Sequence, residues 1–167
     1  MSNDLLIRFA EPDDINIIGF LAQQIWPHTY GEIVEPAQLD YMMNLMYSPA
    51  ALKRQIKDDH QRFLIVEDEE EAVGFASFSP VAEPGIYKLH KIYVLPGQQG
   101  RGVGKAILDF ILDEIKPEGA RVLQLNVNRY NKARDFYERM GFAVIREEDI
   151  DIGGGYFMND YVMEKKI

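Results

Sequence analysis

The stretch "KLHKIYVLPGQQGRGVGKAILDFILDEIK", residues 88–116, changes period halfway. Up to Pro96 it alternates and is rich in β-branched and aromatic residues, so it reads as the end of a long strand, "GIYKLHKIYVLP". From about Gly102 to Lys116 it reads as a helix, with Val103, Ile107, Phe110 and Ile111 on one face. The joint between them, "GQQGRGVGKA", is rich in glycine and carries Arg101 and Lys105. The first turn of a helix has free N–H groups and a partial positive charge. Glycines there let an anion approach the backbone, so the joint suits a phosphate group.

Two common phosphate loops are excluded by single residues. Gly97 and Gly102 have the P-loop separation, but Val103 stands where lysine is required. Gly100 and Gly102 begin a dinucleotide fingerprint, but Lys105 takes the place of its last glycine. What remains is Q-x-x-G-x-G, formed by Gln99, Gly102 and Gly104.

Working outward, "RVLQLNV" reads as a second strand after the helix, completing one βαβ unit. "NKARDFYERM" is a helix with Ala133, Phe136, Tyr137 and Met140 inward, and Gly141 stops it. "FAVIREEDID" and "GYFMNDYVMEK" form a hairpin around "GGG". Upstream, "RFLIVED" and "AVGFASFSP" are strands joined across the solvated acidic tip "EDEEE". "LLIRFA" is a first strand, and "EPDD" opens a helix that Pro27 is expected to end, with "HTYGEIVEP" as a loop. "PAQLDYMMNLMY" and "SPAALKRQIKDD" are short helices, each with proline in its first turn. The predicted fold is a single α/β domain, residues 1–167, with a mixed, mostly antiparallel central sheet flanked by helices.

Composition narrows the function. The 167 residues carry a net charge of −9, which opposes non-specific nucleic-acid binding and favours cationic small molecules. There are no cysteines, so neither a disulfide framework nor thiol catalysis is available. No run approaches membrane-spanning length and no leader pattern opens the sequence, so a cytoplasmic location is expected. The three histidines lack ligand spacing, His60 reads as a surface residue, and no metal site is expected.

"IYVLPGQQGRGVGKAIL" resembles the acetyl-CoA-binding segment of the GNAT (Gcn5-related) N-acetyltransferase superfamily, and "LNVNRYNKARDFYERMGF" resembles that family's second half-site. "LAQQIWPHTYGEI", "LHKIYVLP" and "GGGYFMNDYVMEKK" resemble bacterial polyamine-type members, so the likeness spans the chain. The resemblance implies a coenzyme A site. Tyr93 and Val94 would offer main-chain contacts to the pantetheine arm, with the Val94 N–H near the acetyl carbonyl. Gln99, Gly100, Arg101, Gly102, Val103, Gly104 and Lys105 would form the pyrophosphate loop, and Asn131 would contact the cofactor. Tyr137 matches the tyrosine that protonates the departing thiolate; its alternative role is packing.

Some members place a glutamate base where this chain has Lys88. His90 shares that strand face and is the candidate base, directly or through water; its alternative is a hydrogen-bonded structural histidine. His28, Tyr30 and Glu32 are expected to border the acceptor, with turn and capping roles as the alternative. Arg129 and Arg134 read as surface ion pairs, with the cofactor's outer phosphate as the alternative partner, and Asp160 and Glu164 as negative potential or solvated strand positions. The resemblance therefore implies acetyl transfer from acetyl-CoA directly to a primary amine, with a polyamine or other small cation as first choice of acceptor. A peptide or protein amino group, or a non-catalytic coenzyme A-binding module, stays open. A homodimer fits the superfamily.

Overall fold

Two apolar faces on one sheet organise the chain. In β2 (Arg62–Asp68), Leu64 and Val66 face one core while Phe63 and Ile65 face another, as the two-residue strand period requires. The computed structural model describes residues 5–98 and 100–167. Along the chain lie β1 (Leu5–Phe9), α1 (Ile15–Tyr30), α2 (Pro36–Tyr47), α3 (Pro49–Lys57), β2, β3 (Glu71–Pro80) and β4 (Ile86–Val94). There follow α4 (Val103–Ile115), β5 (Val122–Asn128), α5 (Ala133–Arg139), β6 (Ala143–Gly153) and β7 (Tyr156–Lys166). The sheet order is β1-β2-β3-β4-β5-β7-β6, and the β4–β5 pair around α4 is the parallel one. The mixed, mostly antiparallel α/β sandwich expected from the sequence is present.

One core holds Ile107, Ile111 and Ile115 of α4 and Tyr137 of α5 against the sheet. The other packs Ile18, Leu21, Ile25 and Trp26 of α1, with Met42 and Leu52 from α2 and α3, against Phe63, Ile65 and Phe75. Burying a side chain of this size stabilises by about 1.5–3 kcal/mol relative to exposure, so the two faces hold the sheet from both sides.

Three local features shape the site. First, Pro27 does not end α1, which continues to Tyr30. Proline removes one N–H, but the carbonyl of Pro27 still accepts from Gly31 at 2.9 Å, and Tyr30 accepts from Val34 at 3.0 Å. His28 and Tyr30 therefore sit on the last helical turn rather than in a loop. Second, the β3–β4 register slips between Ser77 and Phe78: Ser77 opposes Lys91 and Phe78 opposes Leu89, leaving His90 as the extra residue of a bulge. Third, β4 and β5 pair from Ile86/Val122 only as far as Leu89/Leu125. Beyond that point β5 stays with β7, and the two parallel strands part.

The closing hairpin turns through Gly153, Gly154 and Gly155, all at positive φ, where a side chain would be strained. Tyr41 of α2 donates to the Ile152 carbonyl at 2.7 Å, and Gln38 donates to the Phe157 carbonyl at 3.0 Å. The hairpin tip is thereby tied to α2.

Candidate active site

A cleft of about 1000 Å³ opens where β4 and β5 part. One wall is the joint before α4. Gly102 occupies the N-cap position in the left-handed region, at φ 76°, with no side-chain cap. The first intrahelical bond from this segment is Ala106 N–H to the Gly102 carbonyl at 3.0 Å, so the N–H groups of Val103, Gly104 and Lys105 precede the helical ladder. Gly100, Gly102, Val103, Gly104 and Lys105 all line the cleft. A Cβ on Gly102 would meet no atom within 4 Å, so open space lies over the cap, as an incoming diphosphate needs. Gly104 has a different reason for being glycine: a Cβ there would lie 3.0 Å from the Phe136 ring of α5.

The basic residues of the joint are held by carboxylates. Arg101 donates to Asp68 at 2.8 Å and to Gln98, and it is not part of the cleft lining. Lys105 pairs with Asp109 one turn on, at 2.7 Å, and remains well exposed. The anion-attracting character of the wall therefore rests first on backbone N–H groups. Gln99 lies outside the described residues.

The floor is β4 and the facing wall is α5. Tyr93 and Val94 line the cleft, as do Asn131 and Tyr137. Asn131 accepts from the Ala133 N–H at 2.9 Å, fixing the turn that starts α5. Tyr137 is 7% exposed and packed edge-on between Phe136 and Phe142. Burial, then the nearby Tyr30 hydroxyl, raises its pKa, so its phenol stays protonated at neutral pH.

The remaining wall belongs to α1 and the turn after it. His28, Tyr30 and Glu32 line it. The Tyr30 and Tyr93 hydroxyls meet at 3.1 Å, and burial raises both phenols. On β4 the bulge turns His90 and Lys91 to the same sheet face. The His90 Nε2 pairs with the Ser79 hydroxyl at 2.7 Å, and burial beside Lys91 and Lys88 lowers its pKa to about 3. His90 is thus a neutral imidazole at physiological pH. Lys91 donates to Gln55 at 2.7 Å and Gln61 at 3.0 Å, and burial draws its ammonium down to about 7.

Sequence reasoning missed Asn126 as a site residue. It lines the cleft beside the point where the strands part. Its signal was the alternation Gln124–Asn126–Asn128 within "LQLNVN", which puts amides on one face of β5 and Leu123, Leu125 and Val127 in the core on the other. Arg129 pairs with Asp149 at 2.7 Å, and Arg134 pairs with Glu138 at 3.3 Å, in keeping with surface ion pairs. Among the described residues no group of three or more His, Asp or Glu is placed to hold a metal, and no helix is long and apolar enough to cross a membrane.

Two parallel strands that part halfway, a glycine-capped helix start and a buried phenol around one cleft define an acyl-coenzyme A transferase of the GNAT type. The chain belongs to that family: the acetyltransferase (GNAT) domain matches residues 33–159. It is similar to the uncharacterized N-acetyltransferase YhfO of Bacillus subtilis (strain 168), with 32% identity over 148 residues, covering 86% of this chain and 90% of that one. It is also similar to the [ribosomal protein bS18]-alanine N-acetyltransferase of Haemophilus influenzae, 30% identical over 111 residues, 66% of this chain and 70% of the other. Among solved structures, the PaiA N-acetyltransferase of Thermoplasma acidophilum in complex with coenzyme A superposes with a TM-score of 0.82 at 26% identity, each chain covered 100%. The protein is an acetyl-CoA-dependent N-acetyltransferase.

Proposed function

We propose that the cleft transfers an acetyl group from acetyl-CoA directly to the primary amine of a small cationic acceptor, with a polyamine as the leading candidate. The observation that carries this reading is the placement of Tyr137: a protonated phenol in the cleft between the helix-start anion site and the parted strands.

The diphosphate of the donor would lie on the N–H groups of Val103, Gly104 and Lys105. Its pantetheine arm would run along the free side of β4 at Tyr93 and Val94, and Asn131 would contact it from α5. As the amine nitrogen bonds to the acetyl carbon, the carbonyl oxygen gains charge, and the Val94 N–H is the donor nearest that position in this reading. The carbon–sulfur bond then breaks, the thiolate takes the Tyr137 proton, and the surplus proton on the new amide nitrogen leaves through water, which restores the phenol. The ammonium must first lose a proton. His90 is the candidate acceptor, but protonating it costs what its burial dictates. The role that fits is a neutral ring that orients a water, which carries the proton to solvent.

A small acceptor is the first choice because the likeness to polyamine-type acetyltransferases spans the chain, including "LAQQIWPHTYGEI" and "GGGYFMNDYVMEKK". The net charge of −9 favours a cation. Competition between a diamine and an amino-terminal alanine peptide for limiting acetyl-CoA tests the assignment. Preferential acetylation of the diamine is expected; preferential acetylation of the peptide would move the enzyme to the protein-modifying class.

A further inference from the structure

Asp160 is a buried carboxylate that the mechanism above does not use. It lies on β7 opposite Asn128 of β5 and Glu148 of β6, so its side chain shares the sheet face of Asn126 and Asn128. That face also carries Lys88 and His90, and it continues into the acceptor side of the cleft. Asp160 is only 2% exposed. Its Oδ2 accepts from the Asn126 Nδ2 at 3.3 Å, while its Oδ1 is buried with no hydrogen-bond partner among the described residues. A buried, half-satisfied carboxylate is costly, and a fold that needed only stability would be better served by an apolar residue there. The neighbouring acids differ. Glu148 is paired with Arg146 at 2.9 Å, and Glu164 accepts from Gln124. Burial raises the Asp160 pKa, opposed by the Asn126 bond and by Lys88.

The bond to Asn126 has a directional consequence. A carboxylate only accepts, so Asn126 must turn its NH2 toward Asp160. Its carbonyl oxygen is then the end left for the cleft that Asn126 lines. A carbonyl oxygen there, backed by a negative charge one residue behind, is a seat for an N–H of a cationic amine.

We propose that Asp160 is a positioning residue for the acceptor: it fixes Asn126 so that the Asn126 carbonyl oxygen receives an N–H of the amine, and its negative charge draws the cationic acceptor into the cleft before the reacting nitrogen gives up its proton. The inference rests on the acetyl-transfer reading and adds the residues that hold the acceptor. Asp160 touches the acceptor only through Asn126, so the two residues form one unit.

A double-mutant cycle on amine affinity tests this. 1,4-Diaminobutane is titrated calorimetrically into the coenzyme A complex, and its KM and kcat are measured with acetyl-CoA. Asp160→Asn is expected to raise the amine Kd and KM by about tenfold, the scale of a hydrogen bond supported by charge. The coenzyme A Kd is expected to be unchanged, which also serves as the folding control. Asn126→Ala is expected to give a similar loss, and the double variant no further loss. Additive losses, or an unchanged amine Kd in Asp160→Asn, would overturn the proposal. If 1,4-diaminobutane binds the wild-type complex and Asp160→Asn weakens it, but no acetylated product forms, the seat stands and the acetyl-transfer reading falls. If this diamine does not bind the wild-type complex, the seat falls.

Discussion

The donor wall and the acceptor wall of the cleft are built in opposite ways. In the proposed reading the donor wall is local: it lies within the short run Gly100 to Lys105, with backbone N–H groups as the working parts and the Arg101 side chain tied outside the cleft. The proposed acceptor wall draws on α1, β4 and β5, with β7 behind it, and its working parts in that reading are side chains: Tyr30, His90, Asn126 and, behind them, Asp160. The first construction suits a constant ligand such as a diphosphate. The second can change one residue at a time and so can follow a variable acceptor. Substitutions on the donor wall should therefore act on coenzyme A affinity when they alter backbone geometry, and those on the acceptor wall should leave that affinity alone.

The largest effect is expected at Gly102. Asp at this position would hold a side chain at φ 76° and place a carboxylate at the anion site. Like-charge repulsion and the loss of close backbone approach at this joint predict a rise of about 100-fold in coenzyme A Kd by calorimetry, while the αL penalty of about 1–2 kcal/mol falls on folding stability. An unchanged Kd in the folded variant would remove the diphosphate from this joint.

Tyr137→Phe separates chemistry from binding. It keeps the ring packed between Phe136 and Phe142 and removes the proton, so kcat should fall by about 100-fold with coenzyme A Kd unchanged. Undiminished turnover would return Tyr137 to a packing role.

His90 sharpens the acceptor side through pH. Its folded pKa of about 3 lies below the ordinary value of 6.5, so the unfolded chain binds a proton first as pH falls. Between those values stability declines with falling pH, at a slope approaching about 1.4 kcal/mol per pH unit. Above 6.5 the group contributes no slope. His90→Gln, which can still meet Ser79, should flatten the acid limb of urea-unfolding midpoints. An equally steep limb would mean that His90 is not the buried neutral ring described.

The smallest effect is expected at Arg101, because the donor wall works through its backbone. Arg101→Ala should raise coenzyme A Kd only about threefold, the scale of an exposed ion pair, and the difference should vanish in high salt. A loss as large as that from Gly102→Asp would show that side-chain charge carries the site.

The same contrast explains what the sequence disclosed. "GQQGRGVGKA" shows the donor wall because its parts are adjacent in the chain and glycine has a physical reason at each strained turn. The central sheet and its flanking helices were legible because alternation and helical period are local signals. Asn126 and Asp160 were not paired by reading, since only the β5–β7 register brings residues 34 positions apart into contact. Alternation makes Lys91 a residue opposite His90. The bulge, which no glycine or proline marks, places both on one face and buries the lysine among Gln55, Gln61 and Phe63. Pro27 misled for a simpler reason: a missing N–H costs one bond, and the packing of Ile25, Trp26 and Tyr30 is enough to carry the helix past it.

The most direct test of the account is a product balance. Wild-type protein is mixed with acetyl-CoA and 1,4-diaminobutane, and free coenzyme A thiol and N-acetylated amine are quantified together. One acetylated amine per thiol released, with no acetyl group on the protein by intact mass, is the predicted result. Tight coenzyme A binding with thiol release no faster than in buffer would contradict it.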